Sequence, residues 1–316
     1  MTTDLKPDPS VIGGVATPPF ALLPKPEKLF TARAERFDAL AQGSNLAPYL
    51  TFLAALSRVQ ARLAADLPVV AGPDAERVAQ SRAARMPPID RHALIRDPAM
   101  RQTLNALCAA ATDLEMPAPA RLALDAVKAA TDADRDWLLG NVLDDAIPAD
   151  SAAPHLFAAA AVQVHLSRLA ATLDAGQLVP IRVGVCPCCG GRPVASSITG
   201  VMGAEGARYA LCAGCQTEWN EVRVKCLHCG STKGIRYQAV EGGVIADDAG
   251  DTAAKPEPTI KAETCDECGS WVKQFYQNLN PTIEPLADDV ASLGIDALMK
   301  DSAWRRAGVN PFTVGF

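Results

Sequence analysis

Cys186-Pro187-Cys188-Cys189-Gly190 is the first of four Cys-x-x-Cys turns in this chain; Cys212/Cys215, Cys226/Cys229 and Cys265/Cys268 complete the set. Eight thiols in this arrangement can build two four-cysteine metal sites. A CxxC turn aims two sulfurs at one point, and glycine after the second cysteine lets the chain reverse without a Cβ clash. Gly190, Gly230 and Gly269 hold that position, and Gln216 holds it in the second turn. A metal enclosed by four thiolates keeps no open position for a substrate, so the pattern points to a metal-stapled binding module and away from a metal-dependent hydrolase.

In chain order the first site takes Cys186, Cys189, Cys212 and Cys215, with 22 residues between its pairs, and the second takes Cys226, Cys229, Cys265 and Cys268, with 35 between. Crossed pairing, first turn with third and second with fourth, is the alternative. Tetrahedral sulfur suits zinc and iron alike, so the expected cofactors are two Fe or Zn ions, one per site, and sequence does not choose. Zinc would be structural; a rubredoxin-like iron could also pass one electron. A small β-ribbon has almost no core, so metal should supply most of its folding free energy.

Disulfides are the competing use of ten cysteines, but they suit short secreted chains, and this one has 316 residues. Its start, Met1 to Ser10, is polar and lacks an apolar core, so no secretory signal is expected. The most apolar run, Leu156 to Val164, is too short to span a bilayer. A cytoplasmic protein without membrane insertion follows as the expectation. The net charge of −6 gives no general pull toward nucleic-acid phosphates.

Before the cysteines the chain reads as helical. Phe30, Ala34, Phe37 and Ala41 recur at helical spacing, and Leu46, Tyr49, Leu50, Leu53, Leu56, Val59 and Leu63 form a wide stripe with Asn45 as N-cap. Further helices are expected around 98–115, 119–130, 133–146 and 152–175, with Asp97-Pro98 as a start signal and Gly176 as a stop. Residues 181–185 lead into the first cysteine pair; strands are expected at 217–225, 235–240, 259–262 and 271–276, a loop over 241–258, and a last helix over 281–307. The fold class is therefore α+β: an N-terminal all-helical domain, two small rubredoxin-like or zinc-ribbon-like β modules, and a C-terminal helix. The divisions are an extended arm over 1–26, the helical domain over 27–178, ribbons over 179–224 and 225–278, and a C-terminal helix and tail over 279–316.

The remaining reactive side chains read as structural. Cys188 is a turn residue between two ligands, Cys108 sits in an apolar helix, His228 faces solvent, and His92, His155 and His165 are structural or surface groups. Asp288-Asp289 resembles the solvated acidic pairs common at helix ends. No phosphate loop, Gly-x-Ser-x-Gly or His-Glu-x-x-His motif is present, and a non-enzyme is expected.

Several runs together resemble the formate dehydrogenase accessory protein (FdhE) family. They are Cys186-Pro187-x-Cys189-Gly190, Leu211-Cys212-x-x-Cys215-x-Thr217-Glu218-Trp219, Arg223-x-x-Cys226-x-x-Cys229 and Cys265-x-x-Cys268-Gly269. Phe30-x-x-Arg33-Ala34 near the start and Arg305-Arg306-x-Gly308-x-Asn310-Pro311-Phe312 near the end belong to the same resemblance. It implies a cytoplasmic maturation factor that binds the molybdenum-containing catalytic subunit of formate dehydrogenase before export, with rubredoxin-like, iron-binding sites. By position, the eight paired cysteines carry the metal role. Glu218, Trp219 and Arg223 match the signature beside the second turn, either as a partner-binding patch or as packing of the ribbon. A rubredoxin-like redox protein and a nucleic-acid-binding zinc ribbon are the alternatives, and the sequence leaves a homodimer open.

Overall fold

The structure, a computed structural model, describes residues 18–239 and 257–315. Almost all of the loop expected over 241–258, and residues 1–17 of the arm, lie outside the described residues.

After a two-residue strand, β1 (Ala21–Leu22), eight helices follow: α1 (Pro26–Ala41), α2 (Ala47–Asp66), α3 (Ala75–Ala84), α4 (Arg91–Leu94), α5 (Pro98–Ala110), α6 (Ala118–Ala129), α7 (Asp132–Leu143) and α8 (Ala152–Ala171). Their ends follow local chemistry. Asp97 accepts a hydrogen bond from the Ala99 N–H, with Pro98 in the first turn of α5. Thr131 and Asp134 form a reciprocal capping box on α7. At α2 the N-cap position falls on Leu46, without a side-chain cap; Ser44 accepts from the Leu46 N–H, and Asn45 does not cap.

Helix α8 is buried almost all round, which marks a central helix and not a surface one. It packs against α2, α5, α6 and α7. Its two histidines belong to that core. His155 pairs through Nδ1 with the Ser151 carbonyl (2.7 Å) and through Nε2 with Asn141 (3.1 Å), while His165 Nδ1 meets Thr103 Oγ1 (3.2 Å).

The second half contributes β2 (Pro193–Ile198), β3 (Arg208–Cys212), β4 (Glu218–Glu221), β5 (Ile235–Gln238), β6 (Ile260–Cys265), β7 (Ser270–Tyr276), then α9 (Pro285–Ala291), α10 (Leu293–Lys300) and β8 (Arg305–Arg306). The strands form one sheet in the order β1-β4-β3-β2-β7-β6-β5, with β8 also on β7. Each cysteine module is an antiparallel set, and the two join through parallel pairing of β2 with β7, Ala195 opposite Lys273 through Ile198 opposite Tyr276.

Several expectations change. The first module takes two strands, β2 and β3, where no strand is expected from the sequence. Both are buried along their whole length, which erases the alternation that would reveal them. The strand expected to run to Lys225 stops at Glu221, and the C-terminal helix is broken at Ser292. Asp288 and Asp289, read as solvated, are buried. Asp288 is bridged by Arg36, and Asp289 by buried Lys273 (2.8 Å) and by Arg306, which ties α9 to β7 and β8. Burial pushes the Asp289 carboxyl up, but Arg306 and Lys273 outweigh it and hold it below the usual range.

Candidate metal centres

The four turns meet in chain order. Cys186, Cys189, Cys212 and Cys215 form one group and Cys226, Cys229, Cys265 and Cys268 the other, each with its sulfurs within 4.8 Å of one another. The pairing is therefore sequential, not crossed. In the first group Cys186 lies 3.6 Å from Cys215 and Cys189 3.6 Å from Cys212; in the second, Cys226–Cys268 is 3.7 Å and Cys229–Cys265 3.8 Å. A tetrahedron of metal–sulfur bonds about 2.3 Å long has edges of about 3.8 Å. The separations match that edge and far exceed a disulfide bond of about 2.05 Å. Four thiols this close cannot all ionise without a cation among them, so the donor set fits a divalent or trivalent metal with soft-ligand preference.

Each turn is closed by its own backbone. Gly190 N–H donates to Cys186 O, Gln216 to Cys212 O, Gly230 to Cys226 O and Gly269 to Cys265 O. All four donors have left-handed φ, between 62° and 79°. In the third turn the His228 and Cys229 N–H groups also reach Cys226 Sγ at 3.4 Å. Burial pushes the Cys226 thiol up, but these donors outweigh it and bring it down to about 7. At Cys215 burial again opposes, and contacts from Cys186 and Cys188 bring the thiol down to about 6.

The two groups differ in exposure. All four cysteines of the first are buried, whereas Cys229 and Cys268 of the second are exposed. Cys188 is buried against Cys215 but outside the group, and its carbonyl accepts from the Ile89 N–H (3.2 Å), pinning the first turn to the helical half. Cys108 lies in the helical core, where burial pushes its thiol up to about 11.

A polar network that local spacing did not signal joins the first group to the helices. Fully buried Arg33 on α1 donates to Glu284 (3.0 and 2.8 Å), to Gln163 on α8 (3.2 Å) and to Gln216 (2.7 Å). Gln163 in turn donates to Ala213 O (3.1 Å) inside the second turn.

The Glu218-Trp219-Arg223 signature does not form one exposed patch. Trp219 is buried on β4 and donates through Nε1 to Glu221 (3.3 Å). Glu218 is partly buried; burial, and then the charge of Glu284, push its carboxyl up to about 7. Arg223 is exposed, past the end of β4, and donates to Gly206 O (3.4 Å).

A helical bundle fused to a sheet that carries two closed four-cysteine cages defines a two-centre cysteine-knuckle protein. Family models described as FdhE, N-terminal, FdhE, central domain, and FdhE, C-terminal domain match residues 18–183, 185–223 and 224–313. "Protein FdhE homolog" of Rhizobium meliloti (strain 1021) is 54% identical over 312 residues, covering 99% of this chain and 98% of the relative. "Protein FdhE" of Escherichia coli O9:H4 (strain HS) is 32% identical over 302 residues, covering 93% and 91%. The crystal structure of the FdhE protein from Pseudomonas aeruginosa superposes with a TM-score of 0.79 at 32% identity, covering 93% of this chain and 98% of that one. The chain belongs to the FdhE family.

Among the described residues no helix is long and apolar enough to cross a membrane.

Proposed function

We propose that this protein is a cytoplasmic accessory factor, not an enzyme, that binds the molybdenum-containing catalytic subunit of a respiratory formate dehydrogenase before its export. The observation that carries the reading is the pair of closed sulfur cages on one sheet in a chain of this family. A cage with four protein ligands has no position left for substrate, so its use is to hold a surface in shape. In this reading residues 27–178 form a helical platform and residues 179–224 and 225–278 form the two metal modules. Each cage holds one Fe or Zn ion through its four cysteines. Arg223 is the member of the signature triplet open to a partner, with Glu218 and Trp219 shaping the strand beneath it.

Pull-down from the native host, paired with elemental analysis of the anaerobically purified protein, tests this. The expected outcome is two metal ions per chain and co-purification of the catalytic subunit, lost in Cys212→Ser/Cys215→Ser. If that double variant stays folded and still captures the subunit in full, the cages are not what the partner reads.

One observation favours a rubredoxin-like redox role as the second reading. Exposed Cys229 and Cys268 bring the second centre to the surface, where an electron could enter or leave. Two irons with a reversible potential support it, and two zincs remove it.

A further inference from the structure

Arg91 is the first residue of the short helix α4 and is only 8% exposed. Its guanidinium donates to both carboxylate oxygens of Asp145 (3.1 and 2.9 Å) and to the Val142 carbonyl (3.1 Å), at the end of α7. Nε is buried with no hydrogen-bond partner among the described residues. The same two terminal nitrogens that hold this carboxylate also lie beside the first sulfur cage.

Two glycines locate it there. A Cβ on Gly191 would lie 2.2 Å from Arg91 Nη1 and 3.1 Å from Cys212 Sγ, so cation and sulfur share the space of the missing side chain. A Cβ on Gly214 would lie 3.9 Å from Arg91 Nη2 and 3.9 Å from the same sulfur. The two turns of the first cage are thus cut back where the guanidinium enters. Burial opposes the charge of Arg91, and Cys189, Asp145 and Cys212 together outweigh it and favour the cationic form. The glycines that close the second cage's turns meet other groups: Gly230 faces Val183 and Gly269 faces the Ala303 carbonyl.

We propose that Arg91 is a positioning residue of the first metal centre: through its fixed charge it offsets the excess negative charge of the metal-bound thiolates and couples metal occupancy to the seating of α4 and α7. The inference rests on the reading that the cages hold metal. Four thiolates around Zn(II) or Fe(II) carry a net charge of about −2, and around Fe(III) about −1, so a buried cation nearby stabilises the reduced and zinc-loaded forms most. Partners in the outer shell of a metal site are commonly worth about 10–100-fold in metal affinity.

Full-length protein loaded with two zinc ions should release them to a chromophoric chelator in two phases, fast from the exposed second cage and slow from the first. Arg91→Gln is expected to accelerate the slow phase by about 10–100-fold and to leave the fast phase unchanged. Arg91→Lys, which keeps the charge, should restore most of the slow behaviour. In the iron-loaded protein Arg91→Gln should move the first centre's potential to a more negative value, while the second stays put. Asp145→Asn should move the first potential the opposite way, because a negative charge beside the cation is removed; a merely structural role for Arg91 predicts neither the shift in Arg91→Gln nor its rescue by Arg91→Lys. That variant also stands in if Arg91→Gln does not fold, and no change or a negative shift in it overturns the proposal. Wild-type protein that takes up no metal at Cys186, Cys189, Cys212 and Cys215 sinks the metal reading and the inference together. Two bound metals with a slow phase and a first potential indifferent to Arg91→Gln overturn the inference alone.

Discussion

Gln216 occupies a left-handed backbone position (φ 62°) that glycine fills in the other three turns. Such a conformation costs a residue with a Cβ about 1–2 kcal/mol. The side chain returns something glycine cannot: it accepts from Arg33 and donates to Ala213 O, locking the turn to α1. Two residues on, Glu218 has a carboxyl raised to about 7, first by burial and then by Glu284. A carboxyl whose folded pKa lies above its ordinary 4.5 keeps its proton longer in the folded state. Its contribution is fully favourable below about pH 4.5 and is lost as pH rises toward 7. Glu218→Gln should therefore leave the thermal midpoint near pH 5 almost unchanged and raise it at pH 8 relative to wild type. Calorimetry at the two pH values checks this; equal shifts at both would remove Glu218 as the titrating group. The cysteine ligand candidates were legible one by one because a CxxC turn is a local object. Arg33, Arg91 and Glu284 carried no such mark, since what they touch lies far along the chain.

Helix α8 and strands β2 and β3 mark the two outcomes of burial at the scale of elements. A helix buried all round still declares itself through its length and its apolar content, and 152–175 was readable. A short strand covered on both faces has no alternation, so β2 and β3 were not. The end of the chain secures these hidden strands. After β8, Gly308 passes so close to β2 that a Cβ would lie 2.1 Å from the Pro193 carbonyl oxygen and 2.7 Å from Val194 Cα. Both are backbone atoms and cannot step aside cheaply. Gly308→Ala is expected to destabilise the fold by about 1–3 kcal/mol, the usual cost of overpacking, and urea unfolding measures it. An unchanged midpoint would mean that the C-terminal segment lifts off the sheet at little cost. The last helix was legible as a segment but not in its break at Ser292, where α9 and α10 bend around the buried Lys273, whose amine reaches the Asp289 and Ser292 carbonyls.

Taken as a whole molecule, the two cages share one sheet but not one environment. The first is buried and continuous with the main core, which runs from α1 and α8 through Cys186, Cys189, Cys212 and Cys215 to Trp219. The second stands at the other end of the sheet with Cys229 and Cys268 exposed. A chelator should therefore unravel the protein in order. Amide exchange is expected to speed up first in β5 and β6, later in β2 and β3, and last in α8. Simultaneous loss of protection everywhere would show a single cooperative unit instead. The chain's own sequence determined that sulfur cages form and that helices precede them, because both rest on spacings of a few residues, which the backbone converts directly into geometry. Only the tertiary structure decided that turns pair in chain order, that two ribbons fuse through a parallel β2–β7 seam, and that a cation from α4 stands beside one cage. Those outcomes depend on which distant surfaces bury each other, and no local period encodes that choice.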